Sequence, residues 1–274
     1  MNNILVGQLN KVNFVEIIES VIDKRLTSDI ASIGGAEFEA QLTKKLTNKT
    51  YKVFTQKMIE TLIVTRGVEF VFPNKTFGEV MNSSHKMGDI FYGVDLFCFT
   101  VKGGVYTYVD HVSLKTSVSQ TENRVYIVND GDGDLVPSII KGEDTHLGQV
   151  VIVNVDLPDS GVGTYQVYYF DGTVNDMVSG LTPQPFYDGQ GRVKPELTFM
   201  GPFGGVKKNG KNRQVQAVKV VNRQNKKEGT KDTSFTRGLT VHPNFLPEFT
   251  TLIVSGTFSV SSILNSVCDE LLSR

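Results

Sequence analysis

Residues 90–117, IFYGVDLFCFTVKGGVYTYVDHVSLKTS, constrain the fold of this chain more than any other stretch. Two runs rich in Val, Phe, Tyr and Thr flank Lys102-Gly103-Gly104, the pattern of a β-hairpin whose tight turn uses glycine. A hairpin centred on Gly103 sets Asp95 opposite His111. Side chains alternate along a strand, so His111, Ser113 and Lys115 share one face with Asp95. Tyr106, Tyr108, Asp110, Val112 and Leu114 are then expected to pack the other face. Lys115 is the anomaly, because burying an ammonium is costly unless it is paired or its charge is used.

The rest of the chain supplies a frame for this hairpin. Phe14, Ile17, Ile18, Val21, Ile22 and Leu26 recur at helical spacing. After the Gly34-Gly35 break, Phe38, Leu42 and Leu46 mark a second helix. Residues 51–64 read as a third, with Phe54, Met58 and Leu62 as its stripe, followed by a short strand, VEFVF. Further strands are expected at RVYIV, QVVIVNV, TYQVYYF and RQVQAVKVV, and a last helix at SVSSILNSVCDELL. Helices, then a run of strands, then a helix imply an α/β (α+β) fold: a central mixed sheet flanked by N-terminal helices and a C-terminal helix. No linker divides the 274 residues, so a single domain over 1–274 is expected, with 203–238 as a basic insertion.

Charge is unevenly spread. The formal net charge is −1, yet ten Lys and Arg residues fall between Lys207 and Arg237 against only Glu228 and Asp232. That segment carries +8 and leaves −9 on the remainder. A basic stretch on a slightly acidic body suits an anionic partner, most often nucleic acid. No apolar run approaches the roughly 18 residues that cross a bilayer, and the N-terminus lacks a signal-peptide pattern. The two cysteines, Cys98 and Cys268, form no CxxC pair and sit among apolar residues. A reduced cytoplasmic setting is the expectation.

An acidic residue opening one strand, a turn, and an acid-x-Lys triplet on the next resembles the PD-(D/E)xK nucleases, which include many type II restriction endonucleases. Here Asp89 or Asp95 stands for the acid and Ser113-Leu114-Lys115 for the triplet. GGAEFEAQLTKKL is similar to the N-terminal helix of such enzymes, whose glutamate orients the metal site; Glu39 takes that place first and Glu37 second. The resemblance spans roughly residues 34–155. Two departures accompany it: the proline before the acid is Gly88 or Val94, and the triplet's acid is Ser113. Some restriction enzymes of this family carry S-x-K and recruit a carboxylate from elsewhere, for which Glu39, Glu79, Asp89 and Asp110 all qualify.

The resemblance implies a restriction endonuclease-like fold and Mg²⁺-dependent hydrolysis of double-stranded DNA by a homodimer or higher homo-oligomer. Asp95, Ser113, Lys115 and Glu39 would be catalytic, with Asp95, Asp89 and Glu39 on the metal. Carboxylates hold Mg²⁺, and a lysine beside the attacking water supports hydroxide. Lys207, Lys208 and Lys211 would meet phosphates, and Arg213, Arg223 and Arg237 the bases.

Weaker signals point elsewhere. Asp130, Asp132 and Asp134 in NDGDGDL open like a calcium loop but lack its distal glutamate, so a solvated turn is expected. Lys115 would also suit the end of an edge strand, where lysines guard against aggregation. The alternative function is a non-catalytic β-rich structural or assembly protein, such as a phage virion component. A third reading is a DNA-binding protein on the same fold with a lost active site.

Overall fold

A computed structural model of the chain describes residues 3–26, 33–72, 75–76, 94–119, 125–130, 146–158, 161–173, 176–177, 181, 183–187, 190–208, 211–226 and 233–260. The chain divides into two compact units, one formed by 1–120, 149–169 and 252–274, the other by 121–148 and 170–251.

The first unit is a mixed sheet with helices against it. Its strands are β1 (Tyr51–Phe54), β2 (Phe70–Phe72), β3 (Lys75–Thr76), β4 (Leu96–Lys102), β5 (Val105–Ser119), β7 (His146–Asp156), β8 (Val162–Thr173) and β13 (Thr251–Ser259). The order across the sheet is β1-β4-β5-β7-β8-β13, with β2 beside β5 and β3 beside β2. β1, β4 and β5 run antiparallel, whereas β7 and β2 lie parallel to β5. The mixed α/β character expected from the sequence is therefore present. The C-terminal helix expected from Ser259 onward falls on 261–274, outside the described residues.

Alternation along β4 divides the core. Leu96 and Cys98 face helices α1 (Ile4–Leu9), α2 (Phe14–Leu26) and α3 (Ile33–Leu46), packing with Phe14, Ile17, Ile18, Phe38 and Leu42. Phe97 and Phe99 face the other way, where Phe70, Phe72, Tyr106 and Tyr108 join Ile59 of α4 (Gln56–Arg66). Each such burial stabilises by about 1.5–3 kcal/mol, so both stripes hold the hairpin from either side.

Three expectations need correction. The helix read over 51–64 is instead β1 followed by α4. Thr55 accepts the Met58 amide as an N-cap, which starts the helix at Gln56 and leaves Tyr51–Phe54 free to pair with β4. The buried residue of α4 is Ile59, while Met58 is exposed. Second, the hairpin loop is Gly103-Gly104, both at positive φ, and Lys102 pairs with Val105. Third, a bulge at Val109 shifts the register between Cys98 and Phe99 by one residue and the Gly103-Gly104 turn by another, so Phe97, not Asp95, stands opposite His111. The extra residue rephases the strand. Tyr106 and Tyr108 share the α4 face, whereas Val112 and Leu114 share the α1–α3 face.

The second unit holds a five-stranded antiparallel sheet: β6 (Val125–Asp130), β9 (Pro183–Tyr187), β10 (Val193–Lys208), β11 (Lys211–Lys226) and β12 (Thr233–Val241), in the order β6-β12-β11-β10-β9. The described part of the basic segment lies on β10, β11 and β12. Of the NDGDGDL motif, Asn129 and Asp130 end β6 and the remainder lies outside the described residues.

Candidate active site

The site begins where β4 ends. β5 continues past Leu96, pairing from Ser113 to Ser119 with β7 on its other edge. Among the described residues no strand pairs with β5 on that edge beyond Leu96, and there the Asp95 carboxylate takes a backbone donor instead. Its Oδ2 accepts the Leu114 amide at 2.6 Å and the Ser113 hydroxyl at 3.3 Å. Ser113 thus orients the aspartate.

Lys115 lies two residues on from Ser113, paired with Ile152 of β7. Its Nζ stands 3.8 Å from Asp95 Oδ2, with the two side chains 23% and 26% exposed. Such a half-screened pair contributes on the order of 1 kcal/mol or less to stability. The ion pair therefore accounts for the presence of a lysine on this strand without making it a main support of the fold.

Glu39 comes from α3. A Cβ added at Gly35 would stand 3.6 Å from Thr116 Oγ1, so this end of α3 lies over β5 at Thr116, the residue after Lys115. Glu39 follows Gly35 by four residues and occupies the same helix face. Burial pushes its carboxyl up to about 7; the charge of Asp95 pushes the same way, and that of Lys115 opposes both. Asp95 is also raised, chiefly by burial, against the lowering effects of Lys115, the Leu114 amide and the Ser113 hydroxyl. Two carboxylates and one ammonium thus lie close enough to affect one another's charge in a partly dry spot.

The other acidic residues are placed differently. Glu37 is buried between α2 and α3, accepting from Ser20, Lys24 and Gln41. Burial raises its pKa, but these donors win and the net shift is downward. It is committed to helix packing. Asp110 is buried on the α1–α3 side of β5, taking the Leu5 amide, the His111 amide and the Gln149 side chain. His111 turns to the opposite face, its Nδ1 against the Tyr108 hydroxyl. Asp89 and Glu79 lie outside the described residues.

Among the described residues, no group of three or more His, Cys, Asp or Glu side chains is disposed to hold a metal ion. Mg²⁺ makes a smaller demand, commonly taking one or two carboxylates and completing its shell with water and substrate phosphate. Glu39 and Asp95 are the two carboxylates here that could meet that demand: burial raises the pKa of each, and for Glu39 the charge of Asp95 adds to it.

In the second unit, Lys207, Lys208, Lys211 and Arg213 fall on the last three rungs of the β10–β11 pairing, where Val206 pairs with Arg213, Lys207 with Asn212, and Lys208 with Lys211. No acidic residue shares those rungs. Arg223 stands opposite Thr236, and Arg237 lies between Asn222 and Asp130 on its two neighbouring strands.

The chain matches no protein-family model, and comparison with curated proteins and with solved structures gives no match either. No helix among the described residues is long and apolar enough to cross a membrane.

Proposed function

We propose that the first unit is a Mg²⁺-dependent endodeoxyribonuclease centre of the PD-(D/E)xK kind, with Glu39 and Asp95 as metal ligands and Lys115 as the residue beside the attacking water. One observation carries this reading: the Lys115 ammonium stands 3.8 Å from the Asp95 carboxylate, which the Ser113 hydroxyl and Leu114 amide orient, and Glu39 of α3 feels both charges. Such convergence of opposite charges stabilises the fold little, so its value lies in chemistry.

Mg²⁺ would offset charge developing on the phosphoryl oxygens and acidify a bound water. The protein's own groups do the rest. Ser113 and the Leu114 amide hold one oxygen of Asp95, fixing the carboxylate's direction. Lys115 places a positive charge where hydroxide forms and where the transition state gains negative charge. Glu39, ionising near neutrality, completes the anionic pair as a cation enters.

The β10–β11 turn supplies an interface for double-stranded DNA. Lys207, Lys208 and Lys211 are suited to phosphates and Arg213 to a guanine edge. A homodimer would match the two-fold symmetry needed to cut both strands.

The test is incubation of supercoiled plasmid with the protein in Mg²⁺ and, separately, in EDTA. Nicking or linearisation in Mg²⁺ alone is expected. Intact plasmid in both, with salt-dependent binding of duplex, would leave a DNA-binding protein; neither cleavage nor binding would leave a structural or assembly protein.

A further inference from the structure

The Val109 bulge is followed directly by Asp110, the buried carboxylate that the nuclease centre does not use. Its two oxygens draw three separate parts of the fold to that point. Oδ2 accepts the Leu5 amide of α1 at 2.8 Å. Oδ1 accepts the His111 amide, just past the bulge, and Gln149 Nε2 of β7, each at 2.9 Å. Gln149 is itself buried, and its Oε1 accepts the Tyr169 hydroxyl at 3.4 Å.

The placement of Gln149 matters most. It immediately precedes Val150, the residue of β7 that pairs with Ser113, and the same register sets Lys115 against Ile152. A slip of one residue in that pairing would turn Ser113 and Lys115 to the opposite face, since the side-chain period of a strand is two. The bulge has the same power over the β4 side, because it decides which residue of β5 meets Asp95. One carboxylate therefore touches both places where register is chosen. All three donors are N–H groups, so an acceptor-only side chain fits, and an amide would set a donor against a donor.

The geometry points to Asp110 as a positioning residue: through the bulge and Gln149 it fixes the register of β5 so that Ser113 and Lys115 meet Asp95. This rests on the nuclease reading only for its consequence in rate; the positioning itself is open to a measurement that needs no cleavage.

That measurement is amide hydrogen exchange by NMR in the full-length protein, comparing Asp110→Asn with wild type. The Leu114 amide, which donates to Asp95, is expected to exchange at least about ten-fold faster, while Val118, farther along β5, changes by less than about two-fold. In Mg²⁺-dependent cleavage, the same variant should lose about ten-fold or more in kcat with KM for duplex DNA nearly unchanged. If Asp110→Asn does not fold, Gln149→Leu keeps the two backbone donors and should show the same selective loss at Leu114 in smaller degree. Equal acceleration at Leu114 and Val118, or no change at Leu114 in a folded variant, would overturn the proposal and make Asp110 a support of the fold only. Selective exposure of Leu114 in a protein that cuts no DNA would uphold the positioning and defeat the nuclease reading instead.

Discussion

The open edge of β5 and the turn of β10–β11 both concentrate charge, but by opposite means. At β5 the fold does it: Asp95 and Lys115 stand 3.8 Å apart, and Glu39, on a helix far away in sequence, feels the charge of both. At β10–β11 the sequence does it: four cations stand on the last three rungs of one strand pair, close together in the chain already. Charges of mixed sign brought together across elements suit a reaction, where each group needs its own place. Cations of one sign on one ribbon suit a polyanion, where number matters more than position.

If that contrast holds, substitutions at the two places should differ in kind as well as size. The largest effect belongs to Lys115→Ala, expected to lower kcat for Mg²⁺-dependent cleavage by about 10²–10⁴-fold with binding of duplex nearly unchanged. Single-turnover cleavage beside a filter-binding titration checks both halves. Asp95→Asn should be comparably severe in rate and should also raise the Mg²⁺ concentration needed for half-maximal activity.

A pH experiment sharpens the comparison further. Glu39 titrates near 7 in the fold against about 4.5 ordinarily, so its folded form prefers the proton. Without metal, its contribution to stability is full below about pH 4.5 and is lost as pH rises through 7. Thermal melts should therefore fall across that window, and Mg²⁺ should restore more stability at pH 8 than at pH 5.5. Glu39→Gln should flatten both trends; a wild-type profile insensitive to Mg²⁺ at every pH would count against the carboxylate pair as a metal site.

At the hairpin the effects should be smaller and graded. Replacing Lys207, Lys208 and Lys211 by Ala should weaken binding of any duplex and reduce the salt slope by about 1 for each phosphate no longer neutralised. Arg213→Ala should cost about 1–3 kcal/mol at one base pair only. Equal weakening on all sequences would make Arg213 a phosphate-binding residue like the three lysines.

The two regions also differ in how much of them could be read beforehand. Counting residues was enough for the basic segment, and its strand at RQVQAVKVV lies within β11. The stripes of α2 and α3 were equally plain, because Phe14, Ile17, Ile18, Phe38 and Leu42 are core residues repeating at the helical period. The hairpin turn was visible in its glycines. Its register was not, since Asp110, next to the Val109 bulge, bonds to Leu5 and Gln149, partners 105 and 39 residues away in sequence. Local alternation cannot report such a constraint. The break at Thr55 escaped for a related reason: YKVF reads as either period, and pairing with β4 decides it. Glu39, Asp95, Ser113 and Lys115 could still be singled out because residue type and order survive a change of register, even though the expected partner of Asp95, His111, did not.

Whether Glu39, Asp95 and Lys115 work as one centre is most directly tested by single-turnover cleavage of a duplex by Glu39→Gln, Lys115→Ala and the double variant, each in saturating Mg²⁺. Groups that serve one transition state are strongly non-additive. The double variant should cut no more slowly than Lys115→Ala alone, to within about three-fold. Losses that multiply, or a wild-type rate in either single variant, would contradict a shared site at the edge of β5.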